Sequence, residues 1–107
     1  MKLDMLKGQL ELVVLASLSR GPLHGYAIIK GVRERSDGEL ELLEGTLYPA
    51  LHRLEQAALV KSSWSTEGGR RRRVYELTTK GRSALAEQDA DWRRFVRTLD
   101  SVLATAR

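Results

Sequence analysis

Four consecutive arginines, Arg70 to Arg73, follow the pair Gly68-Gly69 and run into the alternating segment Val74-Tyr75-Glu76-Leu77. Guanidinium groups can neutralise phosphates, because each is permanently charged and presents a planar fork of donors to a pair of anionic oxygens. A solvated charge run is the blander reading of such a cluster. The glycines before it and the strand-like alternation after it instead set the arginines at the tip of a basic hairpin, where each phosphate contact releases counterions and strengthens binding. Upstream, Leu47, Leu51, Leu54 and Ala58 recur at helical spacing, which leaves Pro49, His52, Arg53 and Gln56 on the opposite face and Tyr48 toward one flank. One side of that helix suits a core and the other a partner. A reading helix beside a basic hairpin points to nucleic-acid binding.

Other chemistry finds little support. The chain has no cysteine, so it holds no disulfide or thiolate metal site, and its two histidines, His24 and His52, cannot complete a metal centre by themselves. A zinc finger is excluded, and no metal or other cofactor is expected. His24 reads as a structural residue at the start of a helix, and His52 as either a base or phosphate contact or an ordinary surface side chain. No phosphate-cradling glycine loop and no glycine-flanked serine elbow is present, so an enzyme is not expected. Glu39, Glu41 and Glu44 fit a solvent-facing acidic edge better than paired catalytic carboxylates.

The elements that must position these groups follow from pattern. With 107 residues and 42% hydrophobic content the chain fits one small domain, for which oligomerisation would help. Its formal net charge is +4, mildly basic, so the clustering of the arginines says more than the total. No apolar run is long enough to export the chain or span a membrane, and a cytoplasmic, soluble protein is expected. A first helix over Gln9 to Leu18 is apolar around nearly its whole circumference, which implies packing on more than one side. A second, amphipathic helix runs from His24 to Arg35. Ser36-Asp37-Gly38 reads as a turn, and Glu39 to Leu43 as a very short strand or extended lead-in to the third helix. Propensity would begin that third helix close to Pro49, since proline is comfortable only in a first turn. Leu59 to Ser65 and Arg72 to Leu77 are the strands of the hairpin, with Thr66 to Arg70 between them. Thr78 is an N-cap for a last helix free of proline to Arg107, spanning roughly 40 Å. Its apolar positions Leu85, Trp92, Phe95, Leu99, Val102 and Ala106 follow a 3.5-residue repeat interrupted by Gln88. So long a rod cannot fold its whole stripe onto so small a core, and a homodimer is expected through its distal half, with Leu85, Trp92, Phe95, Leu99 and Val102 of this helix and Leu10 and Val14 of the first helix at the interface.

Three helices, a two-stranded basic wing and a long final helix describe a mainly α winged helix-turn-helix with a dimerisation helix, divided as a DNA-binding unit over 1–78 and a dimerisation helix over 79–107. At the level of residues the chain resembles PadR-type transcriptional regulators. The resemblance lies in His24-Gly25-Tyr26, Gly45-Thr46-Leu47-Tyr48-Pro49-Ala50-Leu51, Arg53-Leu54-Glu55, Gly69-Arg70-Arg71-Arg72 and Tyr75-Glu76-Leu77-Thr78-Thr79-Lys80-Gly81, and it covers roughly residues 3 to 100. It implies a dimeric repressor that binds double-stranded operator DNA, its third helix in the major groove and its wing along the backbone or minor groove. By position Thr46, Tyr48, Pro49 and Arg53 would recognise DNA, Tyr26 and Lys30 would sit near phosphates, and Gly69, Arg70, Arg71 and Arg72 would form the wing contact.

Some short members of that family are similar to multidrug sensors that hold planar aromatic compounds between paired tryptophans at the dimer interface. Trp92 stands where such a tryptophan would be, with Phe95 beside it. From periodicity alone both fit core or interface packing better than a ligand site, and it is the resemblance that brings the two readings level. Two departures stand out: Leu43 occupies a position where the family usually has a small polar cap, and Ala58 one where it usually has glycine. Two rivals remain open: a winged-helix module that presents Tyr48 and Arg53 to another protein, and a small-molecule-binding protein without a direct DNA role.

Overall fold

The computed structural model describes residues 8–107; residues 1–7, the start of the expected 1–78 unit and of the resemblance, lie outside the described residues. Helix α1 spans Leu10–Ser17, a two-residue strand β1 is Leu23–His24, and α2 follows at Gly25–Arg35. Helix α3 is Glu44–Gln56, strands β2 and β3 are Val60–Ser65 and Arg72–Leu77, and α4 is Thr79–Leu103, closed by a 3-10 turn at Ala104–Ala106. No helix among the described residues is long and apolar enough to cross a membrane.

Three helices enclose one core because each supplies a stripe of apolar side chains. Leu10, Val14 and Leu15 from α1 with Leu18 at its C-cap, Ile28, Ile29 and Val32 from α2, and Leu47, Ala50, Leu51 and Leu54 from α3 are all buried, with Val60, Tyr75 and Leu77 of the hairpin closing one end. The apolar circumference of α1 has an internal cause: α2, α3 and the proximal part of α4 of the same chain all pack against it. Leu10 and Val14 are buried by neighbours of their own chain, at 7% and 0% exposure. Leu85 packs partly against the core, whereas Trp92, Phe95, Val96, Leu99, Val102 and Leu103 on the distal α4 are exposed.

The hairpin takes the expected strands, pairing Val60 with Leu77 through to Ser65 with Arg72 in antiparallel register. A third strand joins it: Leu23 pairs with Tyr75 and His24 with Val74, adding β1 to the two-stranded wing in a sheet ordered β1-β3-β2. Two residues carry too little alternation to announce a strand in sequence. The segment Glu39 to Leu43 forms no strand and remains an extended lead-in.

The start and end of α3 show both departures at work. Leu43 is the N-cap and its side chain caps nothing; its carbonyl accepts from the Thr46 and Leu47 amides at 3.0 and 2.9 Å. Pro49 lies inside the helix, not at its start. Burial of Leu47 one turn before Leu51 and Leu54 carries the helix back to Glu44, and the carbonyl deprived of its partner amide belongs to exposed Gly45. Ala58 takes φ +60°. The Leu59 amide then donates to the Leu54 carbonyl at 3.0 Å and the Ala58 amide to the Glu55 carbonyl at 2.9 Å, a Schellman closure that glycine would make without strain.

Thr78 caps α4 as its spacing implies, accepting from the Gly81 amide at 2.9 Å. Its hydroxyl also donates to the Ala58 carbonyl at 2.6 Å, and Lys80 donates to the Ala57 carbonyl at 3.0 Å. A β-carbon on Gly81 would collide with the Leu59 carbonyl. The end of α3 and the root of α4 are thereby locked together, so the long helix has a fixed direction relative to α3.

Candidate nucleic-acid interface

Between α2 and α3 the chain turns through Ser36 to Leu43, where Asp37 and Gly38 take φ 52° and 82° and the Ser36 hydroxyl accepts from the Leu40 amide at 2.9 Å. This turn presents α3 with its buried stripe inward and Gly45, Pro49, His52 and Gln56 outward. Tyr48 lies on one flank, its ring against the backbone of Gly25, where any β-carbon would overlap the phenol. Glycine at 25 therefore sets how closely α3 approaches the start of α2. Thr46 is half-buried. Arg53 lies on the other flank, its Nε 3.5 Å from a carboxylate oxygen of Glu11 on α1, rather than on the outward row with His52 and Gln56.

The wing separates its arginines by strand alternation. The turn is a 3-10 segment, Glu67–Gly69, in which Gly68 and Gly69 adopt φ +73° and +75°, a left-handed pair that glycine enters without strain. Arg70 and Arg71 are exposed at its end. Arg71 and Arg73 lie on the side of Trp64, their guanidinium carbons 4.5 and 5.4 Å from the indole centroid. Arg73 is also tied back, donating to the Ser62 hydroxyl at 3.0 Å, which in turn donates to Glu55 at 2.8 Å. Cation–π contact on an exposed ring contributes about 0.5–1 kcal/mol, so its main effect is to hold the wing arginines extended.

Arg72 points the other way and brings Nη1 to 2.6 Å from His24 Nε2. The other ring nitrogen of His24, the residue at the N-cap of α2, faces the Ala27 amide at 3.2 Å. Burial first, and the Arg72 charge second, lower the His24 pKa from its ordinary 6.5. A recess lined by His24, Gly25, Tyr26, Tyr48, Arg70, Arg72 and Arg73 gathers α2, α3 and the wing around one concavity. Three guanidinium groups and two phenols around one hollow are suited to an anion. Tyr26 also borders a neighbouring hollow with Lys30, Arg33 and Glu44; Lys30 lies 4.0 Å from Glu34 one turn along α2.

Trp92 and Phe95 occupy a separate place. Their ring centroids are 5.9 Å apart at 39°, and with Gln9, Leu10, Glu11, Arg53, Gln88 and Asp91 they line a hollow between α1 and α4. Two carboxylates sit at this aromatic site, whereas Arg93, Arg94 and Arg97 on the same helix do not line it.

Of the expected DNA-contacting residues, the structure brings Tyr26, Tyr48, Arg70 and Arg72 to the recess, with Gly69 in the turn that presents the arginines. It sets Thr46 and Pro49 along α3, Lys30 on α2 and Arg53 toward α1. Sequence reasoning missed Trp64 as the platform for the wing and Arg73 as part of the recess. Trp64 faces Arg73 across the hairpin, a pairing that follows once Ser65 is matched to Arg72.

The sequence matches the description "Transcriptional regulator PadR-like family" over residues 14–87. It is 37% identical over 76% of its length to a transcriptional regulator of Mycobacterium tuberculosis, covering 73% of that protein. It is 35% identical over 79% of its length to the transcriptional regulator YqjI of Escherichia coli, but spans only 36% of that longer chain. A PadR family transcription regulator from Clostridium difficile has the same fold, with a TM-score of 0.81 at 36% identity over 90% of this chain and 99% of that one. A winged helix-turn-helix with a long terminal helix, matched in sequence across the core, α3 and the wing, has one reading: the chain belongs to the PadR-like family of transcriptional regulators.

Proposed function

We propose that this chain acts in the cytoplasm as a homodimeric, sequence-specific repressor that binds double-stranded operator DNA and is released from it by a small molecule. The carrying observation is the recess in which Tyr26, Tyr48 and three wing arginines meet beside the outward face of α3. In this reading residues 1–78 hold the duplex and 79–107 join two copies. Phosphates ground the wing on Arg70, Arg71 and Arg72, with Gly69 giving the turn its shape, while Tyr26 and Lys30 hold the neighbouring backbone. Thr46, Tyr48 and Pro49 ride on the helix that enters the major groove, where polar side chains read base edges and apolar ones read thymine methyls. Arg53 joins them by leaving Glu11, an exposed pair worth well under 1 kcal/mol.

A second copy is the occupant that fits distal α4. Trp92, Phe95, Leu99 and Val102 present the seam of a two-stranded coiled coil, and an apolar stripe of this kind on a solvated rod is stabilised only by its counterpart. Two α3 helices held by one such dimer address half-sites about one helical turn, roughly 34 Å, apart. Repression follows because occupation of a promoter excludes other proteins from the same duplex.

For the effector, the hollow at Trp92 and Phe95 suits a planar aromatic compound stacked on the rings. Wedging there changes the angle between the two α4 helices, and with it the spacing of the half-sites. The test is fluorescence anisotropy with the duplex upstream of the chain's own gene, with and without planar aromatic compounds. The reading expects salt-dependent, sequence-selective binding that the compounds weaken and that Trp92→Ala makes insensitive to them. Absence of DNA binding at low salt contradicts it.

A further inference from the structure

His24 sits between two groups that can only donate. The Ala27 amide faces Nδ1 at 3.2 Å, and the Arg72 guanidinium faces Nε2 at 2.6 Å. A neutral imidazole carries one proton and one lone pair, so it can accept from one of these partners and not from both. Protonation makes matters worse, since an imidazolium accepts from neither and repels Arg72, in keeping with a ring held in its neutral form. The shorter contact comes from a charged donor, which favours the tautomer with its lone pair on Nε2 and leaves Nδ1–H against the Ala27 amide. The free protein therefore holds Arg72 at the expense of the α2 cap.

An anion in the recess removes the conflict. The recess that His24 lines also contains Tyr26 from α2, Tyr48 from α3, and Arg70, Arg72 and Arg73 from the wing. His24 also borders a second hollow lined by Arg72, Glu67 and Glu76, so the recess with three arginines is the more positive of its two surroundings. We propose that His24 is a phosphate-binding residue: as a duplex docks, Arg72 turns from the imidazole to a backbone phosphate, and Nε2–H of His24 donates to that phosphate while Nδ1 returns to capping α2. The ring keeps one proton throughout, relocated from Nδ1 to Nε2 by exchange with water. Arg72 gains a charged acceptor, the Ala27 amide regains its acceptor, and wing docking tightens the start of α2. This inference rests on the DNA-binding reading.

The test combines a variant with a spectroscopic readout. His24→Asn retains a side-chain oxygen to cap α2 but is too short to follow Arg72 to a phosphate. Against a duplex that the wild type binds, His24→Asn is expected to lose about three- to tenfold in affinity, equally for specific and unrelated sequences, as a phosphate contact requires. In the wild-type protein, nitrogen NMR of the imidazoles should show His24 Nε2 mainly unprotonated without DNA and protonated with it, and His52 is the one other histidine to resolve. Wild-type affinity in His24→Asn, or a His24 tautomer that the bound duplex leaves unchanged, overturns the proposal while the DNA-binding reading stands. Failure of the wild type to bind any duplex at low salt overturns both.

Discussion

Replacing Arg70 and Arg71 together by alanine isolates the electrostatic part of the proposed interface. Both side chains are exposed, and neither is ion-paired or hydrogen-bonded to another side chain among the described residues, in contrast to Arg72, which contacts His24, and Arg73, which donates to Ser62. Their removal leaves the core and the β2–β3 register untouched, although Trp64 no longer has the Arg71 guanidinium stacked on its ring. Each phosphate neutralised contributes about 0.9 to the slope of log K against log salt. Two arginines thus contribute about 1.8 per protomer, or about 3.6 for a dimer with both wings engaged. Across a fourfold rise in salt the wild type should then lose about a hundredfold more affinity than the variant. Fluorescence anisotropy over a salt series measures this directly, with circular dichroism as the control for folding. Weaker binding with an unchanged slope would refute the assignment, because it would mean that these arginines shape the wing without meeting phosphates.

Other expectations follow from single positions. Ala58→Gly relieves a left-handed residue that costs about 1–2 kcal/mol, offset by the greater freedom of glycine in the unfolded chain, so stability should rise by about 1 kcal/mol in urea melts at fixed protein concentration. A neutral or negative change would show that the Schellman closure is not strained by alanine. Gly81→Ala forces a β-carbon onto the Leu59 carbonyl and should destabilise by about 3 kcal/mol, read as a lower thermal midpoint; wild-type stability would mean that α4 is not seated there. The lowered His24 pKa means that the unfolded chain binds the proton more readily. Stability should therefore be full above pH of about 6.5 and decline as pH falls through that value toward the lower folded one. His24→Asn should flatten the part of the decline that His24 causes, and identical pH profiles for the two proteins would count against it.

Much of this arrangement is legible in the sequence because it is local. The glycine pair, the arginine run and the strand alternation specify the hairpin, Thr78 announces its helix by cap chemistry, and a helix ending at Ala58 demands a left-handed residue whatever stands there. What is not legible depends on contacts between distant elements. Burial of Leu47 overrides the preference of Pro49 for a first turn, and strand β1 exists only because Leu23 and His24 find an open edge on β3. Leu10 and Val14 are apolar in sequence, but which neighbours of their own chain bury them is not written in that pattern. Periodicity sets Arg53 outward, but Glu11 on α1 draws it to the flank, a partner no local pattern could nominate. The division of Arg70 to Arg73 into free, stacked and histidine-bound groups likewise follows from strand register.

The central claim is that two chains joined through distal α4 grip one duplex, and sedimentation of the protein with its upstream DNA tests it most directly. At micromolar concentration the free protein should sediment as two chains and the complex as two chains on one duplex, while Leu99→Glu with Val102→Glu should yield a folded monomer that has lost most of its DNA affinity. A wild-type monomer that binds the same duplex alone, or a charged-stripe variant that binds as tightly as its parent, would contradict the account.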